Sequence, residues 1–142
     1  MEGCILKVNM VNPGLSCPLS YSVEDIAKAN LQVLQRTMPT AVPGVNFLSG
    51  GQSLEDACAR LSCINRLKTK NHPWNISYSW SAAIQMPLFA LCKGRDLDEA
   101  LPAMAALYLK ELKQASDAAL GSYEWKEREG SHYSGKVGAG DH

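Results

Sequence analysis

Apolar positions in this chain recur with two periods. Short apolar runs sit at residues 4–11 (around Ile5, Leu6, Val8 and Met10), 44–49 (Val45, Phe47, Leu48) and 74–80. Each is four to eight residues long and bounded by Gly or Pro, which predicts strands. Between them the apolar residues fall at helical spacing. Val23, Ile26, Ala27, Leu31, Leu34 and Met38 make one stripe, and Leu54, Ala57, Cys58, Leu61 and Ile64 make a second. A short helix is predicted over 81–91 with Pro87 inside it. A last long helix is predicted from Asp96 to about Leu120, where Pro102 argues for a later start. Starts are marked by Ser22-Val23-Glu24-Asp25 and Ser53-Leu54-Glu55-Asp56. In each, a hydroxyl can accept an orphan backbone N–H, with an acid three residues on.

The order is βαβαβα plus a final helix. Alternation of this kind predicts an α/β fold with a parallel sheet, and such a sheet needs both faces covered. From residue 121 the composition turns to Gly, Ser and charge. The division expected is one domain over 1–123 and a flexible C-terminal tail over 124–142.

Composition narrows the function classes. The 142 residues carry 14 Lys+Arg against 14 Asp+Glu, and 46% are hydrophobic. Neutral charge disfavours a general nucleic-acid binder, which needs clustered cations. No uncharged apolar run approaches the roughly 18 residues of a membrane span. The segment 1–7 has no basic stretch followed by a long apolar one, so no secretory signal is expected and a cytoplasmic setting is. The five cysteines lack zinc spacing and read as reduced thiols, mostly small buried hydrophobes.

Three places hold candidate chemistry. Lys7 lies within an apolar strand, where burial could activate it as an imine-forming nucleophile; alternatively, its stem is buried and its ammonium reaches water. Ser49-Gly50-Gly51 lies between a strand and a helix. Backbone N–H groups and the helix dipole can hold a phosphate there, or the segment is an ordinary tight turn. Ser77, Ser79 and Ser81 share one strand face by period two, as phosphate ligands or as a solvated rim.

The residues together resemble a known family. Glu2-Gly3-Cys4-Ile5-Leu6-Lys7-Val8-Asn9-Met10-Val11-Asn12-Pro13-Gly14 is similar to the Schiff-base strand of class I fructose-1,6-bisphosphate aldolases, LEGTLLKPNMVTPG. The stretch from Arg36 to Ser53, with Leu48-Ser49-Gly50-Gly51-Gln52-Ser53, is similar to RTVPPAVPGVTFLSGGQS. Ile64-Asn65, Pro73-Trp74, Tyr78-Ser79-Trp80 and Tyr108 through Tyr123 follow in matching order. The resemblance implies a partial (β/α)8 TIM barrel, namely the last three βα units and the terminal helix. It implies Lys7 as the catalytic imine lysine, and Ser49, Gly50, Gly51 and Ser79 as binders of substrate phosphate. The substrate implied is a sugar phosphate, fructose 1,6-bisphosphate, cleaved in glycolysis to dihydroxyacetone phosphate and glyceraldehyde 3-phosphate. No cofactor and no metal are implied. The partners implied are a second copy of the chain or other aldolase subunits, with no nucleic acid and no membrane. Two departures stand out. Val8 replaces the proline that follows the imine lysine, and Ser79-Trp80-Ser81-Ala82 replaces SYGR, so Ala82 stands where the family has a phosphate-binding arginine. The family's proton acceptor belongs to earlier strands, so the chain alone is expected to turn over weakly or not at all. The alternative is a non-catalytic remnant that binds sugar phosphate weakly or associates with aldolase subunits.

Overall fold

A computed structural model describes residues 1–14 and 16–126. Its elements are β1 (Ile5–Val8), α1 (Val23–Thr37), β2 (Gly44–Phe47), α2 (Leu54–Leu67), β3 (Asn75–Tyr78), α3 (Ala82–Cys92) and α4 (Leu97–Ala119). The expected order and type of every element are present. The three strands form one parallel sheet in the order β1-β2-β3.

Local chemistry sets the helix starts. Ser22 Oγ accepts the Asp25 N–H at 3.1 Å and the Asp25 carboxylate accepts the Ser22 N–H at 3.2 Å, a complete capping box. Ser53 Oγ accepts the Asp56 N–H at 3.1 Å. Asp96 caps α4 by accepting the Asp98 N–H at 2.9 Å. Pro102 therefore does not delay α4, contrary to the sequence expectation. The lost N–H of Pro102 would have bonded the Asp98 carbonyl, and Asp98, Leu101 and Pro102 are all exposed, so water can serve that carbonyl. The strands are shorter than their apolar runs. The ladder continues through Leu48 N–H to the Val8 carbonyl (2.9 Å) and Ser79 N–H to the Phe47 carbonyl (2.8 Å), and then the chains turn away.

The in-register pairing sorts the strand residues onto two faces. Val8, Val45, Phe47, Ile76 and Tyr78 join Ala27, Leu31 and Leu34 of α1, Cys58, Leu61 and Ile64 of α2, and Ala118 of α4 in one core. Helix α1 packs on α2, α2 on α4, and α3 on α4. Phe47, Leu61, Ile64 and Ile76 are completely enclosed, each worth about 1.5–3 kcal/mol of apolar burial. Of the cysteines, Cys58 and Cys63 are buried, Cys17 and Cys92 half-buried, and Cys4 exposed. Core thiols are thus fewer than the sequence suggested, because only Cys58 and Cys63 ride a helix facing the sheet.

Past α4, Arg66 gathers the chain. Its guanidinium donates to the carbonyls of Gly121 (2.6 Å) and Tyr123 (2.9 Å), pairs with Glu124 (2.7 Å) and lies 4.8 Å from the Trp125 ring centroid. Glu124 and Trp125, the first residues of the expected tail, are therefore in contact with α2, and 127–142 lie outside the described residues.

Candidate functional site

The sheet face away from α1 and α2 carries the candidate residues. Lys7, Asn46 and Ser77 are paired in register across the three strands and form one row on that face. Lys7 is exposed, and Asn46 and Ser77 are half-buried. The next residues on the same face, one step toward the carboxyl ends, are Asn9, Leu48 and Ser79. They stay aligned because the ladder bonds at Leu48 and Ser79 continue the pairing. Of the three serines expected on one face, Ser77 and Ser79 keep it. Ser81 leaves the strand, takes a helical backbone at the head of α3 and donates to Gln85 Oε1 at 2.8 Å.

Ser49, Gly50 and Gly51 follow β2 after Leu48. Gln52 N–H donates to the Ser49 carbonyl at 3.0 Å, closing a four-residue turn. Gly50 and Gly51, its central residues, have φ of +57° and +79°. Positive φ at both positions is the type I′ pattern, which favours glycine strongly. A side chain at Gly50 would also collide with the Asn9 amide. The two glycines therefore let the turn lie against the layer above Lys7. Ser49 itself is buried.

Polar side chains that the sequence pattern did not single out hold these loops. Asn30 of α1 accepts the Val11 N–H at 2.8 Å and donates to the Val11 and Ile26 carbonyls at 3.0 and 2.8 Å. Gln52 Nε2 donates to the Ser49 carbonyl at 2.9 Å. Arg60 of α2 donates to Gln52 Oε1 at 2.6 Å and to Asn12 Oδ1 at 3.2 Å. All three side chains are buried. The legible signal was a polar residue on a helix's inward face: Asn30 beside Leu31, and Arg60 beside Leu61.

Neither face layer contains an acid or a histidine, so Lys7, Asn46, Ser77, Asn9, Leu48 and Ser79 offer an amine and hydrogen-bonding groups but no general base. Among the described residues, no three His, Cys, Asp or Glu side chains converge to hold a metal. Ala82 opens α3 as an exposed methyl, with no charge to give an anion. A cleft of about 300 Å³ lies between the loop after β1 and α1, lined in part by Asn12, Cys17, Tyr21 and Asp25, and it includes none of the predicted site residues. No described helix is long and apolar enough to cross a membrane.

Comparison with known proteins places the chain. It is 46% identical to a fructose-bisphosphate aldolase of Echinococcus multilocularis over 124 residues, which are 87% of this chain and 33% of that one. It is 44% identical to fructose-bisphosphate aldolase C of Rattus norvegicus over the same length and shares. The fold superimposes with a TM-score of 0.78 and 34% identity on the Plasmodium falciparum fructose-bisphosphate aldolase solved with TRAP and a small-molecule inhibitor, covering 86% of this chain and 34% of that one. The chain thus spans about a third of the length of these relatives, as expected of part of a barrel. Residues 1–138 match the class-I fructose-bisphosphate aldolase family, and the chain belongs to that family.

Proposed function

We propose that this chain carries the imine-forming and phosphate-binding part of a cytosolic class I aldolase barrel, acting on fructose 1,6-bisphosphate. The observation that supports this reading best is the Lys7–Asn46–Ser77 row, with the Gly50-Gly51 turn and Ser79 beside it at the carboxyl ends of the strands. Ligands of parallel α/β folds sit at that end.

In this reading the neutral Lys7 amine adds to the substrate ketone, and water leaves to give an iminium. A base takes the proton of the hydroxyl on the far carbon of the bond to be broken. The carbon–carbon bond then breaks, its electrons pass into the iminium to form an enamine, and the aldehyde departs. Protonation of the enamine carbon and hydrolysis return the ketone and the amine. Ser49, Gly50, Gly51 and Ser79 anchor a phosphate so that the carbonyl meets Lys7. The two layers around Lys7 contain no base, and loss of general acid–base help costs about 10²–10⁴ in rate. Full turnover therefore belongs to a closed barrel whose other strands supply an acid or base.

The test is borohydride trapping with dihydroxyacetone phosphate, followed by peptide mass mapping, with a fructose 1,6-bisphosphate cleavage assay in parallel. The chain alone should trap slowly and cleave below detection. Co-folding with a polypeptide that supplies the remaining barrel strands should raise both, and Lys7→Ala should abolish both. An adduct on another lysine in the completed barrel would overturn the assignment. Ala82 favours a second reading, a non-catalytic chain that binds sugar phosphate weakly or associates with aldolase subunits. That reading predicts phosphate binding with no Lys7 adduct even after completion.

A further inference from the structure

Arg60 is placed unlike any other cation described in the chain. It sits on α2, only 3% exposed, and its partners include two neutral amide oxygens from two different loops. One is Asn12, five residues after Lys7 on the loop leaving β1. The other is Gln52, the last residue of the turn that contains Gly50 and Gly51. Gln52 in turn spends both its backbone N–H and its side-chain Nε2 on the Ser49 carbonyl. A continuous path thus runs from the β1 loop through one guanidinium into the β2 turn. Burying a guanidinium is costly unless its donors are satisfied in fixed geometry. In the phosphate-site reading, backbone N–H groups of the Ser49–Gln52 turn face the anion, and cationic charge behind them favours it there. The arginine expected from the resemblance at residue 82 is an alanine here, exposed at the head of α3.

We propose that Arg60 is the positioning residue of the phosphate cradle. Its planar fork locks the Ser49–Gln52 turn to the loop after the Lys7 strand, and its charge makes the turn electropositive from behind. It touches no substrate. The proposal rests on the reading of Ser49, Gly50 and Gly51 as a phosphate site and adds what holds that site in register with Lys7. A lysine at this position would keep the charge but lose the fork that reaches both amides.

The test uses the full chain, inorganic phosphate as the probe, and Arg60→Met, Arg60→Lys, Gln52→Met and Asn12→Ala. Amide exchange of Gln52, whose N–H closes the turn, is measured without ligand. Phosphate titrations are followed on the Gly50 and Gly51 amide signals. Arg60→Met should speed Gln52 exchange by about tenfold, the loss of one charge-assisted hydrogen bond. It should weaken phosphate binding by about tenfold or more while core amides such as Val45 and Ile64 keep their shifts. Arg60→Lys should restore neither fully. Gln52→Met combined with Arg60→Met should be no worse than either alone, because both cut one path. Asn12→Ala, at a half-buried loop site, reports on the same path should the Arg60 variants fail to fold, and it should weaken phosphate binding in the same direction. Unchanged Gln52 exchange in Arg60→Met, or wild-type phosphate affinity in Arg60→Lys, would overturn the positioning role. Absence of phosphate binding by the wild type would instead overturn the phosphate reading, and the exchange measurement would still decide whether Arg60 braces the turn.

Discussion

Glu111 shows how much one side chain can reveal that a stripe cannot. It lies on α4, is buried, and its Oε2 has no hydrogen-bond partner among the described residues. Burial pushes its pKa up, with Lys110 opposing. A folded-state pKa above the unfolded one means that the folded chain holds this proton more tightly. The stabilising contribution is complete below the unfolded pKa and is lost as pH rises through the folded one. Glu111→Gln should therefore remove a fall in stability between acid and neutral pH and be at least as stable as the wild type at pH 7. Urea denaturation at several pH values checks this, and a variant less stable than the wild type at neutral pH would contradict it. Cys58 shows the same physics in a thiol. Burial, then the charges of Asp117 and Glu55, push its pKa up to about 12, which leaves it an inert packing group.

At the scale of elements, caps and turns were the most legible features, because their chemistry is local. The Ser22–Asp25 box needs only four consecutive residues, and it forms as read. Ser22→Ala should cost about 1 kcal/mol, read as a lower denaturation midpoint. The Ser22 hydroxyl and then its backbone N–H hold the Asp25 carboxyl below its usual range. A depressed folded pKa gives stability that is present above the unfolded value and lost as pH falls through the folded one. The gap between Ser22→Ala and wild type should therefore narrow in acid. Strand lengths were less legible. Ladder bonds at Leu48 and Ser79 carry the pairing one residue further, but the turn at Gly50 and the helical backbone of Ser81 then end it. Neither is a property of apolar runs. Pro102 misled for a related reason: a proline in a helix frees one backbone carbonyl, and here that carbonyl, of Asp98, lies at an exposed helix start where water can serve it.

At the scale of the whole molecule, helices cover the sheet on one face only among the described residues. Helices α1 and α2 shield Val8, Val45, Phe47, Ile76 and Tyr78, while Lys7 stands exposed on the other side. Strands β1 and β3 each have a neighbour on one edge alone among the described residues. Bare edges and an uncovered face of a parallel sheet favour association. We therefore expect sedimentation of the purified chain to show an average mass that rises with concentration, and a polypeptide supplying the adjoining barrel strands to suppress that rise. A concentration-independent monomer would show that the open face is tolerated in water.

The sequence alone determined the order and type of the elements, the caps, the family and the chemical identity of the candidate residues. These depend on short-range spacing, which survives in one dimension. Only the tertiary structure decided that Lys7, Asn46 and Ser77 stand in one row, since register is a relation between strands about thirty to forty residues apart. It alone decided that Lys7 is open to water and that Arg60 reaches both Asn12 and Gln52. Exposure and hydrogen bonding of a side chain are set by whatever packs over it, and that is a property of the assembled fold.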